Sequence, residues 1–311
     1  MHDTRKVLSA FTGFAVIAVI IAAGYLVARL RLVADGGALA LNRVAFFVAM
    51  PALLFTVVSR AQVSVMFSRF TVVATTAALV TATVFVVASR LWFRASLVDT
   101  TMGAACASYV NANNIGLPVA TYIIGNPQYI VPQILVQVLV FSPVVLGVLD
   151  LSTRGRVQVR DILAQPVRNP IVAATAAGAI VAVTGVHVPN IVTAPLDELG
   201  KAAVPLVLIA FGMSLRGSRP LAPGTPRAAV LVATGLKVVL MPAVAYLVAV
   251  ALHLPSAVVF AVVVTAALPT AQNMNSYAAR YGRAQVLARD IVLLTTLGSV
   301  PVILALTAVL G

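Results

Sequence analysis

The run ASYVNANNIGLPVATYIIG, from Ala107 to Gly125, sets Asn111, Asn113 and Asn114 beside Gly116 and Pro118 in the middle of an otherwise apolar stretch. Proline removes a backbone donor and crowds the preceding turn, and glycine loosens a helix further. Carbonyls and amides are therefore freed along this run. Whether a chain tolerates that depends on its solvent, which the flanking sequence identifies.

Of 311 residues, 61% are hydrophobic and only 9% charged, a balance that a water-exposed surface does not tolerate. The fold class that follows is an all-α integral membrane protein. A hydrocarbon core of about 30 Å takes about 20 helical residues to cross, so the length holds about ten transmembrane helices with short connections. Apolar runs broken at Gly, Pro and Arg clusters place spans near 8–28, 38–59, 70–89, 100–125 and 130–149. The second five lie near 170–188, 195–215, 228–252, 256–279 and 291–310. The first run is too long for a signal-peptide core and lacks a cleavage pattern, so it reads as a retained span. Inside a bilayer, irregular backbone such as that around Asn111 persists only where it is buried in protein or lines a watery cavity.

The net charge of +13 does not point to nucleic acid, because the basic residues stand in ones and twos with no basic stripe or interleaved aromatic platform. They fit topology instead. Loops after spans 1, 3, 5, 7 and 9 hold fourteen arginines, and the opposite side holds Arg5, Lys6, Arg60 and Arg69. An excess of positive charge on the cytoplasmic side predicts a multi-pass cell-membrane protein with both termini outside. Arg43, Lys201 and Lys237 are left within spans or at their ends. Cys106, the single cysteine, excludes an internal disulfide or a cysteine metal cluster and reads as a small packing residue.

The longest connection, 151–169, carries four arginines and separates a first five-helix half, 1–150, from a second, 170–311. The halves echo each other. VAMPALLF around Pro51 answers AAVPLVLI around Pro205, GLPVA around Pro118 answers ALPTA around Pro269, and Pro143 answers Pro301. Recurrence in two five-span halves predicts inverted repeats, since an odd number of spans flips the second half across the membrane.

The ninth span, TAALPTAQNMNSYAARYG from Thr265 to Gly282, follows Pro269 with Gln272, Asn273, Asn275 and Tyr277. Two broken, amide-rich helices thus stand in matching halves, and the N-termini of such half-helices offer unpaired N–H groups and a positive dipole end to an anion. Asparagine suits that place, with two donors and an acceptor and no buried charge. The alternative is that these amides only pin helix to helix; their pairing, each cluster beside a proline in its own half, favours binding. Lys237, near the middle of the eighth span, either balances a bound anion's charge or supports a broken helix by donating to its freed carbonyls. Asp99, Asp150 and Asp290 fall at span ends and read as solvated interfacial charge, and His187 and His253 as structural. There is no HExxH, no acidic metal-binding cluster and no Ser/His pair at mid-membrane, so neither an enzyme nor a cofactor or metal site is expected.

Together, spans 2, 4, 7, 8 and 9 resemble the auxin efflux carrier family, which includes plant auxin exporters and bacterial malonate or malate permease-like proteins. The resemblance rests on Asn111, Gly116 and Pro118, on MPALLF at Pro51 and on LKVVLMP ending at Pro242. It continues after Pro269 through Asn273, Tyr277, Ala278, Tyr281 and Gly282, and runs nearly end to end. It implies two inverted five-helix repeats whose helices 4 and 9 are broken and cross at their prolines. It also implies a scaffold of spans 1, 2, 6 and 7, a homodimer, and a mobile transport domain formed by the rest. The implied function is that of a permease, a secondary transporter of small organic anions such as mono- or dicarboxylates, working by alternating access with a proton or sodium ion as coupling ion. Asn111 is then the carried-over substrate contact, with Gln133 and Gln137 on span 5 as weaker additions. Asn113 and Asn114 exceed the usual pattern, which leaves room for a substrate unlike that of the plant exporters. The rival reading is an anion channel or a ligand-binding membrane sensor without coupled transport, which counterflow would distinguish.

Overall fold

His2–Arg29 (α1) is the first of the helices that the apolar runs form. The computed structural model describes residues 2–34, 36–60, 68–154, 170–216, 221 and 224–311. Gly37–Ser59 (α2) and Arg69–Phe93 (α3) follow. Leu97–Ser108 (α4) and residues 112–124 (α5) come from the fourth run, and residues 131–154 (α6) from the fifth. In the second half come Pro170–Thr184 (α7), Asn190–Ser214 (α8) and Arg227–Ala251 (α9). Ser256–Ala266 (α10), Asn273–Tyr281 (α11) and Gln285–Leu310 (α12) complete the chain. The described residues contain no strand, and α2, α3, α9 and α12 are each long and apolar enough to cross a bilayer. This is an all-α membrane protein. The 151–169 connection beyond Arg154, with Arg156, Arg160 and Arg168, lies outside the described residues, as does Arg219.

Four prolines in these helices follow widened turns, whereas Pro195 and Pro205 of α8 and Pro301 of α12 sit inside regular α-helix. The π-helical turns Ala45–Ala49, Ala112–Gly116, Gln137–Phe141 and Leu236–Leu240 each end two residues before a proline, namely Pro51, Pro118, Pro143 and Pro242. A proline ring clashes with the carbonyl four residues back and cannot donate to it. A π turn moves that carbonyl aside at the cost of one extra residue per turn, so the helix bends without ending.

Tight packing sorts the helices into two groups. In one, α1 runs along α8, while α2 lies against both α7 and α8; in the other, α3 packs on α4 and α9, and α12 packs on α4, α9, α10 and α11. Between them, α5 and α12 touch α1, and α5 touches α8. The first group is closed by glycines. A Cβ on Gly24 would stand 2.2 Å from the Ile209 carbonyl oxygen, and one on Gly212 would stand 2.0 Å from that of Ile21, so α1 and α8 meet backbone to backbone. Small residues drive this kind of approach where lipid gives no hydrophobic incentive to associate. Arg60, just past α2, ties the same group at one end through two bonds of 3.0 and 2.7 Å to the Asp197 carboxylate.

Two carboxylates depart from the interfacial reading. Asp150 and Asp290 are 1% and 0% exposed. Asp150 accepts the Tyr281 hydroxyl at 2.8 Å. Asp290 holds Arg289 Nε on one oxygen at 2.7 Å, and the Leu221 amide and Thr225 hydroxyl on the other at 2.9 and 3.1 Å. Each carboxylate accepts from partners distant in sequence, with adjacent Arg289 adding a charged donor to Asp290, and these bonds offset the cost of burial. Asp99 stays near the surface, where Ser96 caps α4 by accepting the Asp99 amide.

Candidate functional site

The fourth and ninth runs both stop being helical at the same place. α4 ends at Ser108 and α5 begins at Ala112; α10 ends at Ala266 and α11 begins at Asn273. The two interruptions cross and pair as an isolated antiparallel bridge between Val110 and Thr270. The Asn111 amide donates to the Pro269 carbonyl at 2.8 Å, and the Ala271 amide to the Tyr109 carbonyl at 3.1 Å. Each break thus satisfies backbone groups freed by the other, as burial away from water requires. Further bonds close the crossing: the Thr270 hydroxyl donates to the Cys106 carbonyl at 2.6 Å, and its amide to Thr295 Oγ1 at 3.1 Å.

Only one of the two prolines sits in the crossing. Pro269 is part of it, whereas Pro118 lies inside α5, absorbed by the π turn before it. What ends the fourth run as a helix is Asn111, whose Oδ1 accepts the Asn114 amide at 3.1 Å and caps α5. An asparagine at such a cap satisfies one of the first-turn donors that the helix itself cannot.

Both half-helix starts then face a cavity of about 570 Å³ between the two helical groups. It is lined by Asn113, Asn114, Gln272, Asn273 and Asn275, by Asn42, Arg43, Phe46 and Met50 of α2, by Val207 and Phe211 of α8, and by Arg289 of α12. Asn114 Nδ2 donates to Gln272 Oε1 at 3.1 Å, joining the two amide clusters. A smaller void of about 20 Å³ adjoins the crossing, lined by Asn111, Asn113, Asn114, Gln137 and Asn273. It has room for about one water-sized group. Several amide atoms here are buried without a partner: Asn111 Nδ2, Asn113 Oδ1, Gln137 Oε1 and Asn275 Oδ1. Unmet hydrogen-bonding capacity of this kind is costly, and four of the six such buried atoms among the described residues belong to residues that line these two spaces.

The remaining sequence candidates are placed apart from that lining. Gln133 is buried with Nε2 unpartnered but lines neither space. Gly116 lets α5 approach its neighbours, since a Cβ there would stand 2.8 Å from Ile130 Cδ1 and 3.0 Å from Leu268 Cδ1. Tyr277 donates to Ser142 Oγ at 3.0 Å, which also bonds the Tyr109 hydroxyl at 2.8 Å, so Tyr277 fastens α11 to α4 and α6. Lys237, fully buried, donates to the Ala266 carbonyl at 2.7 Å and contacts Met241 Sδ at 3.3 Å. Ala266 is the last residue of α10, so the ammonium caps the negative end of that half-helix.

Asn42, Arg43 and Arg289 line the cavity although no motif pointed to them. Arg43 had a signal, a charge inside an apolar run. Arg289 was hidden because the apolar pattern starts the last span at Ile291, while the helix begins at Gln285. Among the described residues that line the cavity the charged ones are Arg43 and Arg289, the latter paired with Asp290 at 2.7 Å. Among the described residues no cluster of metal-ligating side chains occurs.

A family model described as membrane transport protein matches residues 9–307. No curated protein matches the chain.

Proposed function

Since the chain belongs to the auxin efflux carrier family of membrane transport proteins, we propose that it is a permease that carries small organic anions by alternating access. As a multi-pass membrane protein it would sit in the cell membrane with both termini outside. The observation that carries the reading is the set of unpartnered amides at the crossing, shared between the small void and the adjoining cavity that Arg43 and Arg289 also line. Asn111 Nδ2, Asn113, Asn114, Gln272, Asn273 and Asn275 would bind a carboxylate beside the starts of α5 and α11, where helix dipoles favour negative charge. Gln137 would complete the small void, with Gln133 behind it. Gly116, Pro118, Pro269 and Tyr277 would shape the half-helices, and Lys237 would supply balancing positive charge.

The two packing groups support a division of labour. The α1, α2, α7 and α8 group would be the scaffold and the α3–α6 and α9–α12 group the moving part, carrying the crossing past the scaffold within two inverted five-helix repeats. A homodimer joined through the scaffold, and a proton or sodium ion as coupling ion, complete the proposal.

The test is ligand-induced thermal stabilisation of the purified protein by malonate, malate, pyruvate and indole acetate, with uptake measured in parallel. A ligand stabilises the state it binds by mass action. Asn111→Ser keeps a capping oxygen for α5 and removes the free amide donor; Asn273→Ala removes its counterpart. Each is expected to lower uptake about ten- to a hundredfold, the equivalent of about 1.5–3 kcal/mol for a hydrogen bond to a charged group. Normal uptake in both folded variants would sink the site assignment. Counterflow is expected in liposomes, and its absence alongside passive flux would indicate a channel.

A further inference from the structure

We propose that the small void at the crossing binds a sodium ion, with Asn113 Oδ1 and Gln137 Oε1 among its ligands, and that a carboxylate held beside the void supplies the counter-charge, so that cation and anion bind together. This rests on the carboxylate reading of the amide cluster given above, and it gives the coupling ion a place.

The void of about 20 Å³ has room for about one water-sized group, so its occupant is in reach of the side chains that line it. Three of the unpartnered atoms belong to that lining, and the orientation of two of these amides is set by their other bonds. Asn111 Oδ1 accepts the Asn114 amide at 3.1 Å, which leaves Nδ2 as the free donor; Gln137 Nε2 donates to the Gln133 carbonyl at 3.2 Å, which leaves Oε1 as the free acceptor. These two residues are 3% and 1% exposed. Asn113 Oδ1 is a second free acceptor. Oxygen dipoles of this kind replace part of a cation's hydration shell, and the carbonyls of an unwound segment add to such sets; here that segment, residues 109–111, lines the void.

Neutral oxygens alone do not offset the cost of burying a charge at membrane depth. Asn113, Asn114 and Asn273 line both the void and the 570 Å³ cavity, so an acid bound by these amides lies next to the void. An asparagine serves both sides, since Nδ2 donates to a carboxylate while Oδ1 is left for the cation. One carboxylate balances one monovalent charge, whereas a divalent ion would keep an excess. A proton has no comparable carrier: among the described residues lining the void Tyr109 is the only titratable one, and its hydroxyl is shared with Ser142 Oγ at 2.8 Å. Cation and anion then raise each other's affinity by the same factor.

The experiment measures binding of malonate, malate, pyruvate and indole acetate by thermal shift in sodium chloride and in choline chloride at equal ionic strength, which keeps screening constant. An acid that binds is expected to do so at least tenfold more tightly in sodium, and sodium alone to stabilise little. Gln137→Met, which removes the oxygen and keeps the bulk, should bring the sodium-to-choline ratio close to one. Gln137→Glu should let sodium stabilise the protein without any acid, because the ligand then carries the counter-charge itself, a gain that a merely structural glutamine would not show; should it fail to fold, Asn113→Asp replaces it. Equal affinity in both salts would mean that the void holds water alone, and would overturn the cation site while leaving the carboxylate site standing. Uptake in liposomes that follows a pH gradient and ignores sodium would overturn it in favour of proton coupling. Binding of none of the acids in either salt would defeat the carboxylate reading, and the cation site with it.

Discussion

Lys237→Met is expected to yield folded protein whose anion uptake is at least tenfold below wild type. Methionine nearly matches lysine in volume, and the swap removes a charge that is costly to bury. Against this relief stands the Ala266 carbonyl, left without its donor at 2.7 Å, a loss of about 1–3 kcal/mol. The two offset each other, so the fold should survive. Electrostatics does not cancel in the same way. Without the ammonium, the negative end of α10 is exposed at the crossing, four residues from Thr270 of the bridge, and the site becomes less hospitable to an anion. Lys237→Gln separates the two contributions, because an amide can still donate to Ala266 but carries no charge. Uptake restored by glutamine would mean that lysine only supports the broken helix. Failure of the methionine variant to fold would mean the same.

Introducing alanine at Gly24 or Gly212 is expected to lower thermal stability markedly, and leucine at Gly212 to prevent recovery of folded protein. Overpacking by one methyl typically costs about 1–3 kcal/mol. Here the methyl would meet backbone carbonyls at 2.2 and 2.0 Å rather than yielding side chains, so α1 and α8 must separate. The two glycines serve one contact, and helices already pushed apart by the first methyl have less to lose from the second. The Gly24→Ala, Gly212→Ala double variant should therefore be less destabilised than the sum of the single variants. Thermal unfolding followed by size-exclusion chromatography checks both points; strict additivity would mean that the glycines do not share an interface.

Much of this arrangement was legible in the sequence because the bilayer restricts what a chain can do. Long apolar runs become helices, and two of them carry amides and prolines that interrupt them; that the fourth and ninth runs cross was implied by the family resemblance. Features that depend on contacts between distant residues were not legible. Pro118 looked like the break, but a widened turn absorbs it and the Asn111 cap does the interrupting. Asp150 and Asp290 looked like interfacial charges because hydropathy registers a carboxylate but not the Tyr281 hydroxyl or the Leu221 amide that receives it. The same blindness shortened the last span and concealed Arg289. Tyr277 carried a polar signal beside the amides, yet its hydroxyl is engaged by Ser142, a partnership that only the folded chain discloses.

The widened turns before Pro51, Pro118, Pro143 and Pro242 also set the rotational phase of everything that follows them. A π turn holds one residue more than the α turn it replaces, and one residue corresponds to about 100° around the axis, since an α-helix has 3.6 residues per turn. The azimuth at which the rest of each helix presents its side chains is thus decided by whether that residue is present. Deleting Val238 would let Leu236–Leu240 relax to a regular turn and swing Lys237 relative to the C-terminal part of α9, away from α10 or carrying Met241 out of register. A single-codon deletion in such a helix therefore acts like the turn of a dial, re-aiming a whole face of the protein while changing its composition hardly at all.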